Sequence, residues 1–191
     1  MNYKVLIAAT LAATAVHANS ISDQLPESWF KTGKTPALSA CTAGIDRQLN
    51  YLGDSNITLL CESPTEGFIT AMQQFSAEEF RGSRVRFSAQ VKAEDVKGWS
   101  GLWMRIDATE KKAVAFDNMM DRPIKGTQGW SPYEVVLDVP ADGERISFGV
   151  LIENQGQVWL KDTEFEAVPT NVATTGALQR TNPNNLNLQQ R

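Results

Sequence analysis

In the stretch SRVRFSAQVKA, residues 83–93, apolar and polar side chains alternate without a break. Val85, Phe87, Ala89 and Val91 fall on one side of an extended chain, and Arg84, Arg86, Ser88, Gln90 and Lys92 on the other. A helix would scatter these residues around its axis. A strand sorts them into one buried and one wet face. The same period of two returns in YEVVLDVP, with Tyr133, Val135, Leu137 and Val139 inward, and in RISFGVLI, with Ile146, Phe148, Val150 and Ile152 inward. Gly149 interrupts the latter run, as at a bulge or a close backbone approach. ITLLC, FITAMQQF, LWMRID, AVAF and QVWLKDTEFEAV add further strands, and Ser76 to Phe80 reads as one helical turn. Cys41 to Leu49 fits either a strand or an irregular segment.

Turn signals such as Gly53-Asp54-Ser55-Asn56, Ser63-Pro64-Thr65-Glu66-Gly67 and Asn154-Gln155-Gly156 separate these runs. About eight short strands at such spacing, with no βαβ rhythm, specify an all-β fold: a single antiparallel β-sandwich, of jelly-roll type. The sandwich is expected over residues 27–168. Beyond Pro169 the chain becomes rich in Asn, Gln and Thr and loses its aromatics, so 169–191 reads as a disordered tail.

The N-terminus has the form of a secretory signal peptide, residues 1–18. Lys4 supplies the charged end, VLIAATLAATAV the apolar run, and Val16-His17-Ala18 the small-residue cleavage site, with cleavage expected near Ala18. The run is too short to serve as a transmembrane segment. Loss of Lys4 moves the formal charge from -4 to about -5, which argues against a nucleic-acid partner. It also removes His17, the only histidine, and with it Ser-His-Asp or Cys-His catalysis and histidine-ligated metals. An oxidising destination, periplasmic or secreted, favours a Cys41–Cys61 disulfide; two buried thiols are the alternative.

The densest collection of special residues runs from Gly98 to Trp130. In LWMRID, Leu102, Met104 and Ile106 alternate with Trp103, Arg105 and Asp107, so a strand with the first set in the core lines its other face with the second. AVAF then returns as a second strand, ending in Asp117 and Asn118, and a polar loop follows. The candidate ligand-binding residues are Trp103, Arg105, Asp117, Asn118, Arg122, Lys125 and Trp130, with Trp99 as a further ring. Rings stack on the apolar faces of sugars while charged and amide groups bond their hydroxyls. The hairpin is expected to bring Arg105, Asp117, Asn118 and Arg122 together beside Trp103. In the alternative reading, the same groups only tie a long loop down.

Taken together, GFITAMQQF, FRGSRVRFSAQVK, GWSGLWMRID, FDNMMDRPIKGTQGW, YEVVLDVP, ISFGVLI and GQVWLKDTEFE resemble a poorly characterised family of bacterial β-sandwich domains, with a galactose-binding-like or carbohydrate-binding-module jelly roll. The resemblance covers most of Trp29 to Val168. Its most specific part is Asp117-Asn118-Met119 with Arg122 to Thr127. Such domains occur alone or joined to others, some of them in transcriptional regulators. The resemblance implies a fold and hardly any activity. Gln128-Gly129-Trp130 and Glu153-Asn154-Gln155-Gly156 depart from its usual loops, so a ligand near either loop would differ. The sequence contains nothing like a DNA-binding helix-turn-helix.

The functional expectation is an exported, non-catalytic binding module for a carbohydrate or another polar ligand. The alternative is an envelope structural or protein-interaction domain with a protein partner, and a less favoured third is a glycan hydrolase. For that third reading Asp107, Asp117, Asp121 and Glu153 are available, but no spacing singles out a pair. No catalytic residue, metal site or cofactor is assigned. A calcium site in the Asp117–Asp121 loop is disfavoured by Arg122 and Lys125.

Overall fold

The computed structural model describes residues 21–50, 56–109 and 113–176, with only the backbone of Asn50. The expected signal peptide, the turn at 53–55 and the chain from 177 onward lie outside the described residues. The strands are β1 (Ile21–Ser22), β2 (Phe30–Gly33), β3 (Thr42–Asp46), β4 (Ile57–Cys61), β5 (Phe68–Ser76), β6 (Arg84–Ala108), β7 (Ala113–Asp117), β8 (Ile124–Asp138), β9 (Gly143–Glu153) and β10 (Gly156–Val168). Helical turns occupy Ala37–Ala40, Arg47–Asn50 and Glu78–Phe80.

All pairing is antiparallel, and the hydrogen-bonded path runs β1-β3-β4-β10-β6-β9-β5-β2 with β7 and β8 on β6. The organising strand is β6, which is 25 residues long. Its first half pairs with β10 and β8, its second with β9 and β7. The pairing with β8 shifts register between Val91 and Ser100, and Asp95 adopts φ 53. Extra residues of this kind bend a strand. One curled sheet thereby makes both layers of the sandwich. SRVRFSAQVKA and LWMRID, which read as separate strands, are the two ends of one.

The core lies between the layers. Val85, Phe87, Ala89 and Val91 from the first layer and Ile146, Phe148, Val150 and Ile152 from the second are all buried, as the alternation requires. Phe148 joins them: its ring centroid is 4.6 Å from that of Phe87, 5.2 Å from that of Phe165 and 5.9 Å from that of Trp29. The outward residues behave as expected of a wet face, with Arg86 paired to Glu134 and Glu166. Cys41 and Cys61 form a disulfide, joining the chain just before β3 to the end of its neighbour β4.

The chain does not leave the sandwich at Val168. Arg84 Nη1 donates to Thr170 O (2.6 Å), Thr175 N–H donates to Val136 O (3.0 Å), and Val136 N–H donates to Thr175 Oγ1 (2.7 Å). Part of the stretch expected as tail, from Thr170 to Thr175, is thus bonded to β6 and β8.

Candidate ligand-binding face

The second layer, β2-β5-β9-β6-β7, has one face in the core. Its other face is set by register. One row crosses Phe30 (β2), Met72 (β5), Gly149 (β9) and Trp103 (β6). The next crosses Gln74, Ser147, Arg105 and Phe116 (β7), and a third Ser76, Arg145 and Asp107. On the other side of the Trp103 row lie Thr32, Thr70, Leu151 and Gly101, then Phe68, Glu153 and Trp99. Five strands about 4.8 Å apart give a surface about 19 Å wide.

This face carries its own small apolar cluster. Met72, Trp103 and Leu151 are buried together, with Trp99 packed against them. Trp103 Nε1 donates to Thr70 Oγ1 (2.7 Å), whose hydroxyl donates to Val150 O (2.7 Å), so the buried indole is satisfied. Trp99 Nε1 donates to Glu153 Oε2 (2.7 Å). Gly149 lets the β5 backbone approach closely: a Cβ there would lie 2.1 Å from Ala71 O and 2.9 Å from Met72 Cα. The exposed large hydrophobics among the described residues are Phe30, Phe116 and Met120. Phe30 and Phe116 stand on this face, one on each edge strand of the layer.

Beside the aromatic cluster lies a charged one. Arg105 donates to Asp107 Oδ2 from Nη2 (3.0 Å) and Nε (3.2 Å), and Arg145 Nε approaches the same oxygen at 3.7 Å. Asp107 is 1% exposed. Its Oδ1, Arg145 Nε and Ser147 Oγ are buried and have no hydrogen-bond partner. Unsatisfied buried polar atoms are few in native proteins, and here three meet on one face.

The predicted site residues separate. Trp103 and Arg105 belong to this face, although Trp103 is packed inside the second cluster, only 8% exposed, rather than presented as an open ring. Asp117 pairs in register with Met104 and Phe116 with Arg105, so the period of two turns Asp117 to the opposite side from Arg105. The expected convergence of Arg105, Asp117, Asn118 and Arg122 beside Trp103 is therefore corrected by sheet parity.

Asp117 instead anchors its own loop. Arg122 donates to it from Nη2 (2.6 Å) and Nη1 (3.2 Å), Thr175 Oγ1 donates to Oδ2 (2.6 Å), and Met119 N–H donates to Oδ1 (2.9 Å). Burial pushes the Asp117 carboxyl up, but these hydrogen bonds and the Arg122 charge outweigh it and hold it below its ordinary value. For Arg122, burial works against the charged form and the bonds to Asp117 and Asp121 overcome it. Asn118 bonds Met120 N–H through its side chain (3.2 Å), and its carbonyl oxygen sits where a Cβ on Gly101 would come within 3.0 Å, so its backbone borders the Trp99 end of the face. Lys125 is exposed at the start of β8, near the bend of β6. Trp130 lies further along β8, with Lys161 Nζ 5.0 Å from its ring centroid. Among the described residues no group of three or more His, Cys, Asp or Glu is arranged to hold a metal ion.

Sequence reasoning missed Phe30, Met72, Gln74, Arg145 and Ser147. The signal was present in the outward set of RISFGVLI, where Arg145, Ser147, Gly149 and Leu151 alternate with the core residues. An outward set containing a glycine, a serine and a leucine is unusual for a plain solvated face.

No protein-family model matches the chain. A Bacillus subtilis (strain 168) protein bearing the name uncharacterized HTH-type transcriptional regulator YbfP is 36% identical over 164 residues, covering 85% of this chain and 55% of that protein. The chain thus spans about half the length of the curated relative it matches. The helical segments of the described residues are three or four residues long, so they contain no helix-turn-helix. Among solved structures, the CBM22-1 xylan-binding domain of Paenibacillus barcinonensis Xyn10C aligns with TM-score 0.51 at 12% identity, over 72% of this chain and 85% of that one. The CBM22-1–GH10 modules of Clostridium thermocellum xylanase 10B, complexed with xylohexaose, align with TM-score 0.52 at 10% identity, over 81% and 28%. The fold is that of a carbohydrate-binding-module jelly roll. The enzymatically active domain of bacteriophage CBA120 tailspike protein 4 shares it to the same degree, with TM-score 0.52 at 15% identity over 74% of this chain and 20% of that one. The sandwich expected from alternation, and the resemblance, hold for the fold.

Proposed function

We propose that this chain is an exported, non-catalytic binding module for a carbohydrate, with the outer face of the β2-β5-β9-β6-β7 layer as its site. The observation that carries this reading is the composition of that face. Exposed rings at both edges, Phe30 and Phe116, flank a centre floored by Met72, Trp103 and Leu151, with exposed Gln74 and the Arg105–Asp107–Arg145 cluster beside them. Rings offer stacking to the apolar side of a sugar, and the amide and guanidinium groups offer hydrogen bonds to its hydroxyls. Solved domains of this fold include xylan-binding ones, which supports the ligand class without specifying the sugar. The disulfide and the signal-like N-terminus support an oxidising, extracytoplasmic location.

Of the residues first picked from sequence, Trp103 is assigned the floor of the site and Arg105 a ligand contact, with Asn118 at its border. Asp117 and Arg122 are assigned to the architecture of the loop. The test is a glycan array followed by titration calorimetry on the intact protein. Saturable binding of a glycan, weakened in Phe116→Ala with an unchanged melting temperature, is the expected result. Failure to bind any glycan, together with retention of one envelope protein in a pull-down, overturns it in favour of an interaction domain.

A further inference from the structure

The charged corner of this face differs from its aromatic centre. Asp107 lies beneath Arg105, and its only exposed neighbours in the cluster are guanidiniums: the side chain of Arg105 is 45% exposed and that of Arg145 is 33% exposed, against 1% for Asp107. A ligand approaching from solvent therefore meets two positive groups, and the single carboxylate below them balances one. Glu144, next to Arg145 in the chain, is occupied with Thr109 Oγ1 at 3.2 Å.

The pairing within the cluster is also incomplete. Arg105 Nε lies 2.9 Å from Asp107 Oδ1 yet directs its hydrogen bond to Oδ2, leaving Oδ1 without a donor. Arg145 reaches that carboxylate only at 3.7 Å, and its Nε donates to nothing. Ser147 Oγ, fully buried between Gln74 and Arg105 in register, also has no partner. Arg145 and Arg105 are diagonal neighbours across β9 and β6, about 7 Å apart at the backbone, which is within the span of two guanidiniums on one carboxylate. Phe116, exposed and directly opposite Arg105, supplies a ring on which the attached sugar can lie.

We propose that this corner is an acidic-sugar subsite, in which Arg105 and Arg145 together bind the carboxylate of a uronate residue whose ring stacks on Phe116. The inference rests on the carbohydrate reading above and narrows its ligand class. A bound carboxylate lies on the exposed outer sides of the two guanidiniums, above the Arg105–Asp107 pair, and supplies the second negative charge that two arginines over one buried carboxylate leave unbalanced. Arginine forks suit this task because two donors from one group match two carboxylate oxygens.

The experiment titrates the intact protein with oligogalacturonides, glucuronoxylan oligosaccharides and alginate oligosaccharides, each beside the same sample with its carboxyl groups chemically reduced to alcohols. At least one acidic series is expected to bind, with its reduced counterpart about tenfold weaker or more, and with affinity falling as salt rises. Arg145→Gln should erase the difference between the two forms while keeping the residual affinity for the reduced one. Arg145→Lys should restore only part of it. Free glucuronate and a carboxylate-terminated peptide distinguish a sugar site from a general anion site, and tighter binding of the peptide than of the acidic oligosaccharide overturns the assignment. Equal affinity for native and reduced glycans overturns this inference and leaves the binding module standing. Absence of binding to every glycan overturns both. If Arg145→Gln does not fold, the native-against-reduced comparison and the salt dependence on the wild type still decide.

Discussion

Asp117 and Arg122 form a two-point ion pair, with Nη2 2.6 Å from Oδ2 and Nη1 3.2 Å from Oδ1. It closes the loop after β7 on a carboxylate that is 6% exposed. Arg122→Ala would strand that carboxylate. Breaking a fully buried pair costs about 3–5 kcal/mol, but Arg122 is partly exposed and Thr175 and Met119 remain as donors, so a loss of about 2 kcal/mol is expected. Urea denaturation measures it. Glycan affinity should stay within about twofold, because the pair lies on the far side of the strand from Arg105.

The same carboxyl gives the protein an acid limit. Its value in the folded protein is held below the ordinary 3.8, so its contribution to stability is fully present above that value. As pH falls through the depressed folded value, protonation removes that contribution. Wild-type stability should drop more steeply than that of Asp117→Asn below about pH 4. Denaturation midpoints across that window check it, and parallel curves for the two proteins would refute it.

Trp103 fills the second apolar cluster, so Trp103→Ala is expected to cost about 3 kcal/mol or more, through a cavity beside Met72 and Leu151. Trp103→Phe keeps most of the volume and loses the hydrogen bond to Thr70, for about 1 kcal/mol. Thermal denaturation of the two variants separates cavity from hydrogen bond.

The strands and their inward residues were legible because burial imposes alternation, and Val85 to Val91 and Ile146 to Ile152 carry it undisturbed. The candidate site was legible only in part. The same alternation placed Trp103 and Arg105 on the outer side of β6, where the register has them. Asp117 and Arg122 were placed with them because they are close in sequence and polar, and the register that turns Asp117 away from Arg105 includes a β-bulge between Ile106 and Asp107. That bulge has no sequence signature. Arg145 and Ser147 come from a strand distant in the chain, and only the pairing of β6 with β9 brings them beside Asp107. The strap of Thr170 to Thr175 was hidden because its bonds are made by main chain and one threonine hydroxyl, which composition does not reveal.

Phe30 and Phe116 are 44% and 47% exposed, too open to contribute much to folding. Phe30→Ala and Phe116→Ala should each change stability by no more than about 0.5 kcal/mol. Each should weaken glycan binding, and the double variant should bind least. Calorimetry beside melting curves tests this, and unchanged affinity in both would remove the face from consideration.

The Cys41–Cys61 disulfide ties the ends of a segment with a sequence separation of 20, which includes β3 and all of its pairing partner β4. Chain entropy gives such a loop about 3 kcal/mol, because the unfolded chain is constrained while the folded one is already closed by backbone pairing. For a domain of this size that corresponds to a melting temperature lower by about 6–12 °C after reduction. The loss should be largest for β1, β3 and β4, which lie at one end of the sheet path and have few neighbours to hold them. Hydrogen exchange on reduced protein should therefore quicken there first, while β6 and β9, in the centre of the sandwich, keep their protection. Two reactive thiols in denatured, unreduced protein would show that the bond does not form in solution. An unchanged melting temperature on reduction would show that the hairpin does not need it.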